Sequence, residues 1–417
     1  MKVCVVGGGG REHALALALS ATAEVVVTPG NPGMGAAGSI ACTTAPPEEV
    51  EADLVVVGPE QPLVDGLADR LRARGRLVLG PGAAGARLEG SKAWMKEVLA
   101  AAGVPTARHE TFSELGPAVE HLRRQPPPYV VKTDGLAAGK GVLVTSSLEE
   151  AEADVAAKLS GRSFGEAGRR VVLEEGLAGP ELSLLALCDG HRAVPLAPAQ
   201  DFKRVGDGDT GPNTGGMGAF SPVPGAGDDL VGVVMDRAVG PLLAALRGEG
   251  IDYRGVLYAG LMLTAGGPKV VEFNVRLGDP EAQVVLPRLA PGTDLAELLA
   301  QAADGRLRSE PAFRPDAAVA VVLAAAGYPL SSRRGDIIAG VEEAEEVEGV
   351  TVLHAGTATG EGGRLVTAGG RVLDVTAVGP TLAEARDRAY RAAGRVSWPG
   401  LHYRRDIALH AAAGAPA

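Results

Sequence analysis

The run Val270-Val271-Glu272-Phe273-Asn274-Val275-Arg276 alternates apolar and polar residues. The alternation has the period of a β-strand. It predicts Val271, Phe273 and Val275 on one face and Glu272, Asn274 and Arg276 on the other. Same-face neighbours on a strand stand roughly 6.6 Å apart, so a carboxylate, an amide oxygen and a guanidinium would form a row. The two oxygen donors suit a hard cation such as Mg²⁺, which shares its shell with substrate phosphates. The guanidinium fork suits a phosphate oxygen. Leu277-Gly278-Asp279-Pro280-Glu281 follows and adds carboxylates beside a turn. Read by itself, the segment is also compatible with an ordinary strand whose polar face is solvated.

Other segments supply pieces for binding phosphate. Lys132-Thr133-Asp134-Gly135-Leu136-Ala137-Ala138-Gly139-Lys140-Gly141 has the glycines and lysines of a phosphate loop. It departs from the Walker A spacing, because only three residues separate Gly135 from Gly139 and Gly141 replaces the Ser or Thr. It also joins two strands instead of opening a helix. Its glycines would let backbone approach phosphates, with Lys132 and Lys140 adding charge; a plain hairpin is the alternative. Val172 to Leu177 is an extended segment able to offer backbone groups to an adenine edge, with Glu181 placed for ribose hydroxyls. Asp201 to Gly218 is a long, polar, glycine-dense loop, and ordered loops of this length tend to carry function.

Gly7-Gly8-Gly9-Gly10 between strand and helix suggests a dinucleotide fold, but the fingerprint fails twice. Glu12 falls on the third glycine position, and Thr28-Pro29-Gly30-Asn31 carries no acid for a ribose. A nicotinamide oxidoreductase is therefore not expected. What survives is a tight turn and a helix N-terminus able to hold a sugar phosphate. The seven histidines form no metal-ligand spacing, and no plausible Cys–His pair is present. Nothing points to nucleophilic catalysis by the protein.

These groups need a large scaffold. A chain of 417 residues is expected to form two to four domains. Its net charge of −11 and 3% aromatic content argue against a nucleic-acid partner. Cys4, Cys42 and Cys188 are too far apart for a metal or redox motif and suggest a reducing compartment. The chain opens directly into a strand without the marks of a signal peptide. The longest apolar run, Ala317 to Ala326, is too short to cross a bilayer. A cytoplasmic protein without a membrane partner is expected. Residues 1–100 read as βαβ units with a parallel sheet. Beyond them lie a glycine-rich two-strand region, a second set of strands with a long helix from Val231 to Leu246, a linker at Pro311 to Pro315, and a small α/β tail.

Together these pieces resemble the ATP-grasp ligases and, within them, the glycinamide ribonucleotide synthetases. The resemblance rests on Gly9 to Ala14, Pro29-Gly30-Asn31, Val57 to Leu63, Leu88-Glu89-Gly90-Ser91-Lys92, Asp134 to Gly141, Lys203 to Gly218 and Glu272 to Glu281. His354 to Thr357 and Gly369-Gly370-Arg371-Val372-Leu373 extend it into the tail, so it covers essentially the whole chain. The 203–218 loop is its most specific part. It implies an α/β fold with an N-terminal Rossmann-like parallel-sheet domain (1–101), an ATP-grasp domain (102–325, mobile lid about 120–190) and a small C-terminal α/β domain (326–417). It implies that glycine is joined to 5-phosphoribosylamine through glycyl phosphate, using ATP and Mg²⁺ or Mn²⁺. The substrates would be the only partners, and a monomer is expected, with a dimer left open.

The family's roles carry over by position. Glu272 and Asn274 would hold the metal. Lys132, Gly135, Gly139, Lys140 and Gly141 would clamp phosphate, and Glu174, Glu175, Leu177 and Glu181 would form the nucleotide hinge. Arg276 would steady the acyl phosphate, with Lys140 and Asp279 completing the catalytic set. Asp279 and Glu60 would receive the ribosylamine. Gly10, Arg11, Asp201, Lys203, Asn213, Thr214, Gly215 and Gly216 would hold the remaining substrate groups. Phe202 stands where the family usually has His, Pro180 replaces an acid, and Thr133 replaces Ala. Another purine-pathway ATP-grasp ligase and a nucleotide-binding protein without turnover are the competing expectations.

Overall fold

Short apolar strands alternate with helices in the first ninety residues and build a parallel sheet. The computed structural model describes residues 1–36, 38–137, 141–161 and 169–414. Its first sheet runs in the order Ile40–Cys42, Glu24–Pro29, Lys2–Gly7, Leu54–Val57 and Val78–Leu79, with every pair parallel. Val3, Cys4 and Val5 are wholly buried, as strands covered on both faces require. Strand order reverses at Lys2–Gly7, and such sheets bind ligands beyond the strand C-termini at that point.

The glycine turn at that point carries an acid of its own. The Gly9 N–H donates to the Glu12 carboxylate at 2.7 Å, and Arg11 pairs with the same carboxylate at 2.5 Å. One N–H at the start of helix Gly10–Ser20 is thus capped by the chain's own acid. Gly10 has no room for a side chain, since a Cβ would lie 1.8 Å from an Asp374 oxygen. The turn packs against the C-terminal part of the chain.

Two antiparallel sheets make up the middle of the molecule. One runs Ala193–Pro195, Glu181–Asp189, Arg254–Thr264, Gly267–Asn274. The other runs His109–Phe112, Val171–Glu175, Tyr129–Thr133, Val142–Thr145. The second has its own small core of Val131, Val171 and Leu173 against Ala118, Leu122, Ala151 and Val155 from two helices. Helix Leu148–Leu159 begins at Ser147, which accepts the Glu150 N–H. The long helix expected from Val231 is a composite of Asp228–Val234, a wider turn over Met235–Val239, and Gly240–Gly248. Pro241 explains the break, because it lacks an N–H for the preceding turn.

The last sheet runs Gln200–Asp201, Gly218–Ser221, Ala317–Ala324, Arg371–Gly379, Val350–His354. All eight residues of Ala317–Ala324 are buried, so the longest apolar run is a central strand. This sheet starts before the boundary expected at 325/326. Helix Leu382–Ala393 covers it with Ala385, Ala389, Ala392 and Ala393, and Thr381 caps the helix. The strands at 200–201 and 218–221 tie the two ends of the 203–218 loop into this C-terminal sheet. That tie holds the loop beside the strand ends at 274 and 276.

Candidate active site

Strand Gly267–Asn274 departs from its expected alternation at one residue. Gly260 pairs with Glu272 while the next residue, Leu261, pairs with Val270. Val271 is therefore the extra residue of a β-bulge. Val270, Phe273 and Val275 face the core, and Val271 is only half-buried, which corrects the expectation that Val271 shares a face with Phe273. The bulge leaves the Val271 carbonyl to accept the Lys132 ammonium at 3.0 Å. Glu272 and Asn274 keep the same side, and the strand ends before Arg276.

Glu272 looks onto a cluster of acids with one cation at its centre. The Lys203 ammonium lies 2.8 Å from Glu181 and 3.8 Å from Glu272. Burial, together with Glu281, Glu181 and Glu272, holds the Asp201 carboxyl well above the usual range despite Lys203. Burial acts the same way on Glu272, but Lys203, Lys132 and Lys92 outweigh it and keep this carboxyl below its ordinary value. A like-charge cluster of this kind favours an added cation. Glu281 is buried and accepts from Ser183 at 2.9 Å, and Ser183 meets the Tyr258 hydroxyl at 2.9 Å.

Two buried lysines are organised by Glu174. Lys132 and Lys96 lie 2.9 and 3.1 Å from the same Glu174 oxygen, and all three side chains are almost wholly buried. Burial lowers the Lys96 ammonium to about 8, although Glu174 opposes the shift. Glu174 thus acts as a counter-ion beneath the hinge. The Glu175 carboxyl is held down to about 2; its slight burial works the other way and is outweighed by hydrogen bonds from Arg108 and Lys269. Asp134 accepts from Ser91 and from the Ala93 N–H at the start of helix Lys92–Ala101, and pairs with Arg170. Lys92 donates to the Gly135 carbonyl at 2.9 Å. Leu177 is half-buried just past Val171–Glu175. Gly141 lies at the start of Val142–Thr145, where its carbonyl accepts the Thr133 N–H. Gly139 and Lys140 lie outside the described residues.

A second charged network gathers around Arg276 and Asp279. Arg276 donates to Glu89 at 2.9 Å and to Glu60 at 3.3 Å. Arg11 reaches the Leu277 carbonyl at 3.3 Å. Asp279 pairs with Arg371 at 2.6 Å and accepts from Gln283 at 2.7 Å. The 213–216 loop lies alongside. Gly216 has φ +109°, and a Cβ there would lie 2.4 Å from Pro280, so only glycine fits. Thr214 donates to the Lys203 carbonyl and accepts the Gly216 N–H, each at 2.9 Å, and Asn213 reaches the Val142 carbonyl at 3.4 Å. Phe202, in the place of a usual His, packs 6.1 Å from Phe220 with Arg404 stacked over it at 4.8 Å. Its role here is packing.

Glu89, Lys92, Lys96, Glu281, Arg371 and Asp374 were not among the expected site residues. Glu89, Lys92, Glu281 and Arg371 do fall in segments that carry the family resemblance. Lys96 had a weaker signal, a charge among buried residues of a helix. His13 and His354, whose rings lie 5.9 Å apart, are buried below the glycine turn. The His354 N–H donates to His13 at 2.9 Å, and burial lowers both imidazoles, to about 3 and about 4. They are packing groups, held neutral.

A strand carrying paired oxygen donors, buried lysines across from it and a hinge between two antiparallel sheets define the ATP-grasp class. Residues 1–89, 90–282 and 318–410 match the N, ATP-grasp (A) and C domain models of phosphoribosylglycinamide synthetase, and the chain belongs to that family. The phosphoribosylamine–glycine ligase of Mesorhizobium japonicum is 48% identical, with 99% of each chain covered. The Streptomyces coelicolor enzyme of the same name is 49% identical over 99% of this chain and 100% of its own. The crystal structure of phosphoribosylamine–glycine ligase from Thermotoga maritima superposes with a TM-score of 0.85 at 37% identity, covering 98% of this chain and all of that one. The biotin carboxylase domain of Hydrogenobacter thermophilus 2-oxoglutarate carboxylase, at TM-score 0.68 and 18% identity over 96% and 91% of the two chains, shares the fold.

Proposed function

We infer that the chain performs the reaction for which its close relatives are named. It is an ADP-forming carbon–nitrogen ligase that joins glycine to 5-phosphoribosylamine, giving glycinamide ribonucleotide, ADP and phosphate. The observation that carries the residue assignment is the position of Lys203. It brings the 203–218 loop within 3.8 Å of the cation strand at Glu272 and 2.8 Å of the hinge acid Glu181.

ATP and a divalent cation fit this arrangement. Among the described residues no group of three Asp, Glu, His or Cys side chains is placed to hold a metal. Glu272 and Asn274 would therefore share the cation with phosphate and water oxygens. We propose Mg²⁺, with Mn²⁺ as the alternative; when bound, it neutralises charge on the transferring phosphoryl group. The protein itself positions and screens. In the first half, glycine's carboxylate attacks the γ-phosphate while Lys132 and Lys203 balance charge; Lys140 enters this reading from the sequence. In the second half, the ribosylamine nitrogen forms a bond to the glycyl carbon and the C–O bond to phosphate breaks. Arg276 faces the acyl phosphate, and Asp279 and Glu60 orient the amine. Gly10 and Arg11 would serve the same substrate from the Leu277 side, with Asn213 to Gly216 on the Asp279 side. We place the enzyme in the cytoplasm as a monomer with small-molecule substrates. No helix among the described residues is long and apolar enough to cross a membrane.

A coupled ADP assay tests the reading. ADP should form with glycine and phosphoribosylamine together, and not when bicarbonate or formate replaces glycine. ADP formation with bicarbonate or formate instead would favour another purine-pathway ligase. No ADP under any condition would favour a nucleotide-binding protein without turnover.

A further inference from the structure

Asp279 and the 213–216 loop belong to different segments, and a single guanidinium ties them together. Arg371 donates to an Asp279 carboxylate oxygen at 2.6 Å, to the Asp279 backbone carbonyl at 2.9 Å and to the Gly215 carbonyl at 2.5 Å. These contacts use two of its terminal nitrogens on three acceptors, a fork that lysine could not reproduce. Arg371 opens strand Arg371–Gly379 of the C-terminal sheet. A second C-terminal residue reinforces the tie, since the Gly215 N–H donates to the Tyr328 hydroxyl at 3.1 Å.

The opposite flank of Asp279 is also built from distant residues. The Gln283 amide donates to Asp279 at 2.7 Å and to Asp374 at 3.0 Å. Asp374 is almost wholly buried and lies against Gly10 of the glycine turn. Burial and the neighbouring Asp279 raise its carboxyl to about 7. A neutral Asp374 would leave Arg371 as the cation committed to Asp279. Arg276 and Arg11 also face Asp279 electrostatically, but neither forms an ion pair with it.

We propose that Arg371, contributed by the C-terminal domain, is a positioning residue for the amine-transfer half of the reaction, acting through Asp279 and the Gly215 carbonyl. It does not touch the reacting atoms. It fixes the acid that orients the amine and the loop that borders the same pocket, so the C-terminal domain is a working part of the site. This rests on the reading of Asp279 as the ribosylamine acid.

Full-length Arg371→Gln, Asp279→Asn and the double variant should be compared in steady-state assays with each substrate varied. A misplacement of about 1 Å costs on the order of 100-fold. Arg371→Gln should therefore lose about that much in kcat/KM for phosphoribosylamine while KM for ATP stays within about twofold. The double variant should be no worse than the poorer single one, because both changes act on one unit. Added guanidinium should restore part of the activity of Arg371→Ala and none of Asp279→Asn. Multiplicative losses in the double variant, or equal rises in every KM, would overturn the proposal. So would an Arg371→Gln enzyme with wild-type kcat/KM beside a crippled Asp279→Asn. If Asp279→Asn itself keeps wild-type kcat/KM, the Asp279 reading fails and the proposal fails with it.

Discussion

Glu272→Gln is expected to cut turnover by roughly 100- to 1,000-fold, about 3–4 kcal/mol in the barrier, while the protein stays folded. The substitution keeps the shape of the side chain and removes one charge from the strand that faces ATP. The strand's core contacts are made by Val270, Phe273 and Val275, which are untouched. Lys203 is not stranded either, because its closer partner at 2.8 Å is Glu181. The loss should therefore appear in kcat and in the apparent requirement for divalent cation, with an unchanged thermal midpoint. Near-wild-type turnover at saturating ATP and cation would sink the assignment of Glu272.

Asp279→Asn should separate the two halves of the reaction. The variant keeps a carbonyl oxygen for Gln283, and Arg371 keeps its bonds to the Asp279 and Gly215 carbonyls. The local chain is thus expected to hold its course. What is lost is the charge that orients the amine, for an expected drop on the order of 100-fold in kcat/KM for phosphoribosylamine. Acyl phosphate formation can be followed alone as glycine-dependent scrambling of a bridging oxygen label in ATP, and it should stay within about twofold of wild type. Equal slowing of scrambling and of amine transfer would show that Asp279 acts on the first half as well.

Some of this site was readable from residue order because the local physics was sufficient. Helices Leu148–Leu159 and Leu382–Ala393 start at Ser and Thr caps with Glu three positions on, a local signal that residue order carries. The oxygen donors at Glu272 and Asn274 were legible because a strand puts alternate residues on one side. That rule failed at Val271, since the bulge is set by the partner strand between Gly260 and Leu261. The hairpin Arg204–Gly206 with Thr210–Asn213 was hidden inside a polar loop that has no apolar alternation to announce it.

Long-range charge pairing was the least legible feature. Glu174, expected in the nucleotide hinge, lies against two buried lysines. Its partner Lys96 sits among buried helix residues, where only the three-dimensional neighbour explains a charge. Asp279 was legible as a turn acid, but Arg371 lies 92 residues away and its role depends on how the C-terminal sheet docks. A contact inside the glycine turn was equally hidden. The turn's sequence suits an anion, and Glu12 already supplies one from within the chain.

The central claim is that glycine's own carboxylate is activated by the γ-phosphate. An acyl phosphate leaves a mark that other routes do not, because one carboxylate oxygen of glycine departs with phosphate. Purified protein should be supplied with ATP, phosphoribosylamine and glycine labelled in its carboxylate with heavy oxygen, and the released phosphate analysed by mass. The account predicts one labelled oxygen in each phosphate formed with glycinamide ribonucleotide. Unlabelled phosphate accompanying the same product would contradict it.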